Sequence, residues 1–105
     1  MNKHLSPEHQ ELYGRVGEVL HYLWDPIGVS GVPQARDEYD SYVPQVFSLL
    51  VSQASTQGLI AFLDHTATQT MGLNDTEQGR EHTKVVVRIL EDWREFLRDR
   101  YARNA

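Results

Sequence analysis

The chain contains no cysteine. That single absence removes disulfides, thiolate nucleophiles, zinc–cysteine sites and iron–sulfur clusters, and it fits a reducing compartment. No stretch approaches roughly 18 consecutive uncharged apolar residues, so no segment reads as a membrane span. The opening run, Met-Asn-Lys-His-Leu-Ser-Pro-Glu-His-Gln-Glu, lacks an apolar core, so no secretory signal is expected and the cytoplasm is the expected compartment. Also missing are a Gly-x-Ser-x-Gly nucleophile elbow and a His-Glu-x-x-His zinc motif. Gly28-Val-Ser-Gly31 has neither the preceding strand nor the following lysine that a phosphate loop needs. Period-two alternation is absent, and the one strand-like triplet, Val85-Val86-Val87, lies inside a helical pattern.

What is present is a chain of 105 residues with 40% apolar content, two Trp, five Tyr and three Phe, enough for one domain with its own core. Negative charge is concentrated in the middle. Residues 1–35 carry a net −2, residues 36–75 a net −4 and residues 76–105 a net +1, within a total of −5. An acidic middle repels phosphate backbones, which disfavours nucleic acid and favours a basic protein partner.

Four amphipathic segments follow one another. Ser6 as N-cap, Pro7 at the first helical position and Glu8 in the first turn start a helix whose apolar residues are Leu12, Val16, Val19, Leu20 and Leu23. Asp25 before Pro26 is biased away from helix, so this segment should close at Trp24. A second helix is expected from Asp40 or Ser41 with Pro44 in its first turn, carrying Val43, Val46, Phe47, Leu49, Leu50 and Val51. A third, capped by Ser55 or Thr56, carries Leu59, Ile60, Phe62, Leu63, Ala67 and Met71 and stops at Gly72. The fourth, capped by Asn74 or Asp75, carries Val86, Ile89, Leu90, Trp93, Phe96, Leu97 and Tyr101, with charges of mixed sign on its other face. The fold class is all-α, a small four-helix bundle of one domain over residues 1–105.

The segment from Trp24 to Tyr42 is the longest without helical periodicity, and a loop of this length in a small domain is functional or disordered. Its two clusters, Trp24-Asp25-Pro26-Ile27-Gly28 and Asp37-Glu38-Tyr39-Asp40-Ser41-Tyr42, point to an ordered loop between the first two helices. Trp and Tyr flanked by acids are interface-anchor chemistry. The binding residues expected from this pattern are Trp24, Asp25, Asp37, Glu38, Tyr39, Asp40 and Tyr42. A structural role competes for each: Trp24 pins the end of the first helix, Tyr39 and Tyr42 fold the loop back on the bundle, and Asp37 or Asp40 caps the second helix. The acids do not make a calcium loop, because Tyr39 and Tyr42 interrupt the ligand positions and no Glu closes the set.

One other spacing has chemical meaning. Glu18 and His21 form the Glu-x-x-His pair used by carboxylate-bridged metal bundles, but no second copy exists. The competing reading is an exposed face of the first helix. No cofactor, metal site or catalytic residue is expected. A metal-dependent enzyme using Glu18, His21, Asp37 and Asp40 is the rival reading, and a homo-oligomer using spare apolar surface on the second or fourth helix is a third.

The pattern Leu23-Trp24-Asp25-Pro26-Ile27-Gly28-Val29, then Asp37-Glu38-Tyr39-Asp40-Ser41-Tyr42 and later Met71-Gly72-Leu73, resembles a group of small uncharacterised bacterial proteins. The resemblance covers the middle of the chain and implies an all-α bacterial domain in the cytoplasm. It implies no activity. By analogy of class, small acidic bacterial proteins of this kind include immunity proteins, so the expected function is an interaction domain whose acidic-aromatic loop meets a basic partner.

Overall fold

The computed structural model describes residues 5–103, and among them there are four helices and no strand. Helix α1 spans Pro7–Val19, α2 Val43–Val51, α3 Thr56–His65 and α4 Glu77–Arg103. The all-α bundle expected from periodicity is the observed fold.

The first start signal operates as its residues dictate. The Ser6 hydroxyl accepts from the His9 N–H at 3.2 Å, and Pro7 occupies a position whose N–H would have no helical partner. Ser55 does the same for α3, accepting from the Gly58 N–H at 3.0 Å. At α4 the expected cap is corrected. Thr76, not Asn74 or Asp75, accepts from the Gly79 N–H at 3.0 Å, while the Asp75 carboxylate pairs with Arg80 at 2.6 Å. The expected capping of α2 by Asp37 or Asp40 is also corrected. Tyr42 precedes α2 with no side-chain cap, because a 3₁₀ turn at Asp40–Tyr42 runs straight into the helix and supplies backbone bonds there. Pro44 lies in the first turn of α2, as expected.

Both α1 and α3 end in a wider turn. Leu20–Trp24 and Thr66–Thr70 are π-helical, closed by Asp25 N–H to Leu20 O at 3.0 Å and Met71 N–H to Thr66 O at 2.9 Å. The wider turn changes which residues face inward. With α-helical spacing Leu23 continues the apolar stripe; with a π turn Leu20, His21 and Trp24 turn into the core and Leu23 turns out, 43% exposed. His21, expected on an exposed face, is therefore buried. Gly72 ends the second of these turns at φ 74°, a left-handed angle that favours glycine.

Helix α4 is the structural spine. Its 27 residues give a rod of about 40 Å, in a molecule whose longest extent is 45 Å. It packs on α1, α2 and α3 through Val86, Val87, Leu90 and Leu97, all fully buried, against Leu12, Val16, Leu20, Leu50, Leu59 and Leu63. It runs antiparallel to α1: Tyr101 donates to Glu11 at 2.9 Å near one end, and the His82 Nε2 meets the Leu23 carbonyl at 2.5 Å near the other. Arg94 donates to the Leu50 carbonyl at 3.0 Å, so α4 side chains occupy C-terminal carbonyls of both α1 and α2.

The cap assignment at α4 has a direct test. Thr76→Ala should destabilise the protein by about 1 kcal/mol in urea unfolding, whereas Asp75→Ala removes only an exposed ion pair and should cost no more than about 0.5 kcal/mol. Equal losses would contradict the geometry.

Candidate interaction surface

The connection between α1 and α2 is built around one carboxylate. Asp25 follows the π turn with φ 34° and ψ 60°, left-handed angles that Asp tolerates better than most residues. From there Oδ1 accepts from the Val29 N–H at 2.7 Å and Oδ2 from the Ser30 N–H at 3.0 Å. The Tyr39 hydroxyl donates to the same Oδ1 at 2.7 Å and accepts from the Ile27 N–H at 3.2 Å. One carboxylate and one phenol thus fix residues 25–30 and tie them to residue 39. Further backbone groups are taken up by a run of tight turns, among them Val32 N–H to Val29 O at 2.9 Å, Ala35 N–H to Val32 O at 3.0 Å and Glu38 N–H to Ala35 O at 3.0 Å. Gly28, at φ 73°, closes the turn before these, its N–H donating to the Asp25 carbonyl at 3.2 Å.

The electrostatics match this geometry. Burial alone would raise the Asp25 pKa, but hydrogen bonds from Tyr39, Val29 and Ser30 outweigh it and hold the carboxyl below its ordinary value. Burial first, then the bond to Asp25, pushes the Tyr39 phenol well above its ordinary value. Tyr39 is 2% exposed, and its ring packs 5.5 Å from that of Trp24, which is 3% exposed. Tyr42 is half-buried and meets Trp24 edge-on at 6.3 Å.

The residues expected to bind fall into two sets. Trp24, Asp25, Tyr39 and Tyr42 are turned inward or engaged in holding the loop. Asp37, Glu38 and Asp40 are exposed, and no ion pair joins any of them to another described residue. Glu18 and His21 are not brought together: Glu18 is half-exposed and paired with Arg15 at 2.8 Å, while His21 is 3% exposed with its Nδ1 unpartnered. Among the described residues no group of three or more His, Asp or Glu could hold a metal ion.

Two features of this end of the bundle have no signature in the sequence. Four of the six exposed large hydrophobic residues, Tyr22, Leu23, Ile27 and Val32, lie between positions 22 and 32. Arg36 lies 5.4 Å from the Tyr22 ring and joins the loop to this apolar group. Beside them is a cleft of about 480 Å³ between the Tyr22–Pro26 corner, the π turn at Ala67 and Thr68, and the start of α4. Asp25, Asp64, Asp75, Arg80, His82 and Thr83 line it, with Asp64 accepting from Thr83 at 2.6 Å. Both π turns border this cleft, and such turns recur at functional sites.

No protein-family model, no curated protein and no solved structure matches this chain, so its function is argued from the geometry.

The carboxylate–phenol pair makes a pH prediction with a definite sign. The lowered Asp25 pKa contributes stability above its unfolded value, near 4, that is lost as pH falls through the folded value. The raised Tyr39 pKa contributes stability below its unfolded value, near 10, that is lost as pH rises beyond it. Asp25→Asn and Tyr39→Phe should each cost about 1–3 kcal/mol at pH 7. Asp25→Asn should flatten the acid limb of stability against pH and Tyr39→Phe the alkaline limb, as read by urea unfolding from pH 3 to 11. Unchanged limbs in both variants would exclude the pair as the loop's anchor.

Proposed function

We propose that this protein is a small protein-interaction domain that binds a basic partner through the surface formed by residues 22–42 and the adjoining cleft. The observation that carries the reading is a loop whose own anchors are consumed internally, while its acids Asp37, Glu38 and Asp40 remain exposed with no ion pair among the described residues and its first part exposes Tyr22, Leu23, Ile27 and Val32. A pre-organised surface with an apolar group and a charged margin loses little entropy on binding. The cleft adds to the charge argument, since three carboxylates, Asp25, Asp64 and Asp75, line it against one guanidinium, Arg80. A lysine or arginine side chain of a partner fits that balance. A bacterial cytoplasmic immunity protein, which neutralises a basic toxin, is the kind of protein this reading describes.

The reading is tested by comparing two baits in an extract of the source cells. The wild-type protein should retain one basic protein at near-stoichiometric amount, released as salt rises from about 50 to about 500 mM. The variant Asp37→Ala/Glu38→Ala/Asp40→Ala should bind that protein roughly ten-fold or more weakly at low salt, with an unchanged circular dichroism spectrum. A partner held equally by both baits, or indifferent to salt, would overturn it.

A further inference from the structure

A second surface lies on α4 and is independent of the loop. Val85, Ile89, Asp92 and Phe96 recur at spacings of four, three and four, the pattern of a helix–helix seam, with Trp93 beside it. The core uses this seam only in part: Ile89 packs against the core, whereas Val85 is 48% and Phe96 50% exposed. Ile89 and Trp93 are half-buried and, with Asp92 and Phe96, line a shallow notch of about 290 Å³. The expected apolar stripe of α4 therefore divides, with Val86, Leu90 and Leu97 turned inward and Phe96 turned to solvent.

The charges on this seam identify what covers it. Most α4 charges are engaged within the chain: Lys84 pairs with Glu81, Glu91 accepts from Thr56, and Glu95 pairs with Arg94 and Arg98. Arg88 and Asp92 are both exposed and have no ion pair or hydrogen-bond partner among the described residues. They stand one helical turn apart, on either side of Leu90. Two copies of α4 laid antiparallel about that point bring Arg88 of each against Asp92 of the other, and Phe96 of each toward the Val85 turn of the other. A parallel pairing sets Arg88 on Arg88 and Asp92 on Asp92.

We infer that two copies of this chain associate through antiparallel α4 helices, with Phe96 and Ile89 as the apolar contacts and reciprocal Arg88–Asp92 ion pairs setting the direction. The seam runs about 17 Å along the helix and falls short of a standard stable interface, so the dimer is weak and exchanging.

Sedimentation equilibrium from about 5 µM to about 1 mM tests the inference. The wild-type protein should pass from monomer to dimer across that range. Arg88→Asp places two acids against each other and Asp92→Arg places two bases against each other, so each variant alone should dimerise roughly ten-fold more weakly. Mixed together, the two variants restore opposite charges at both contacts and should associate within about three-fold of the wild type. Both positions are exposed, so circular dichroism should be unchanged in each. A monomer throughout the range, single variants that self-associate like the wild type, or a mixture that stays monomeric would each overturn it.

Discussion

The Asp25 carboxylate is the constraint on which the loop end of this molecule depends. A connection of 18 residues between the π turn at Leu20–Trp24 and α2 has no regular ladder to order it, and fixing each backbone residue costs about 1–2 kcal/mol in entropy. Local turns alone do not offset that, because each satisfies one donor while fixing several dihedral angles. Asp25 changes the balance by accepting three donors from two separate parts of the loop, so that one ionised group closes the turn at residues 25–30 and the longer excursion to Tyr39 together. The Tyr39 ring then packs against Trp24, and the loop becomes continuous with the core rather than an appendage to it.

Upstream of this anchor, the π turn at Leu20–Trp24 delivers Asp25 to its position. Widening the last turn of α1 rotates the chain so that Trp24 points inward and the next residue leaves the helix in the left-handed region. The Leu23 carbonyl, left over by the helix end, is met by His82 of α4. The end of α1, the loop anchor and the first turns of α4 are therefore mechanically linked, and the cleft lies where they meet. Helix α4 repeats the device with Arg94 at the end of α2.

Much of this fold is written in local chemistry that a sequence displays. Ser6, Pro7, Ser55 and Gly72 act where their side-chain and backbone properties say they should, and the stripe of Leu12, Val16, Val19 and Leu20 is buried as its spacing requires. What the sequence does not display is the π turn at Leu20–Trp24, because a widened turn has no residue signature of its own. That one turn carries Leu23 outward and His21 inward, against the order that α-helical spacing predicts. The cap at Thr76 was obscured by two neighbours, Asn74 and Asp75, of equal or better capping chemistry. Phe96 shares the apolar period of the buried α4 residues but faces solvent, because a helix broad enough in apolar residues has two faces and periodicity does not say which of them the core takes. The candidate surface was legible in its residues but not in its assembly: the 22–42 segment stands out by composition, whereas Asp64, Arg80 and His82 reach it from elements far away in the chain.

The loop also divides labour among its residues in a way that bears on why it exists. Trp24, Asp25 and Tyr39 account for its order, and none of that order requires Asp37, Glu38 or Asp40 to be acidic. Three like charges within four positions repel one another, and in an already negative chain they oppose compaction. No capping contact or ion pair among the described residues offsets that repulsion. Crowding of this kind without a folding gain is what the proposed interaction surface would account for. The anchored backbone lets the acids remain crowded and exposed, and a basic partner surface is the chemistry that would turn their mutual repulsion into attraction.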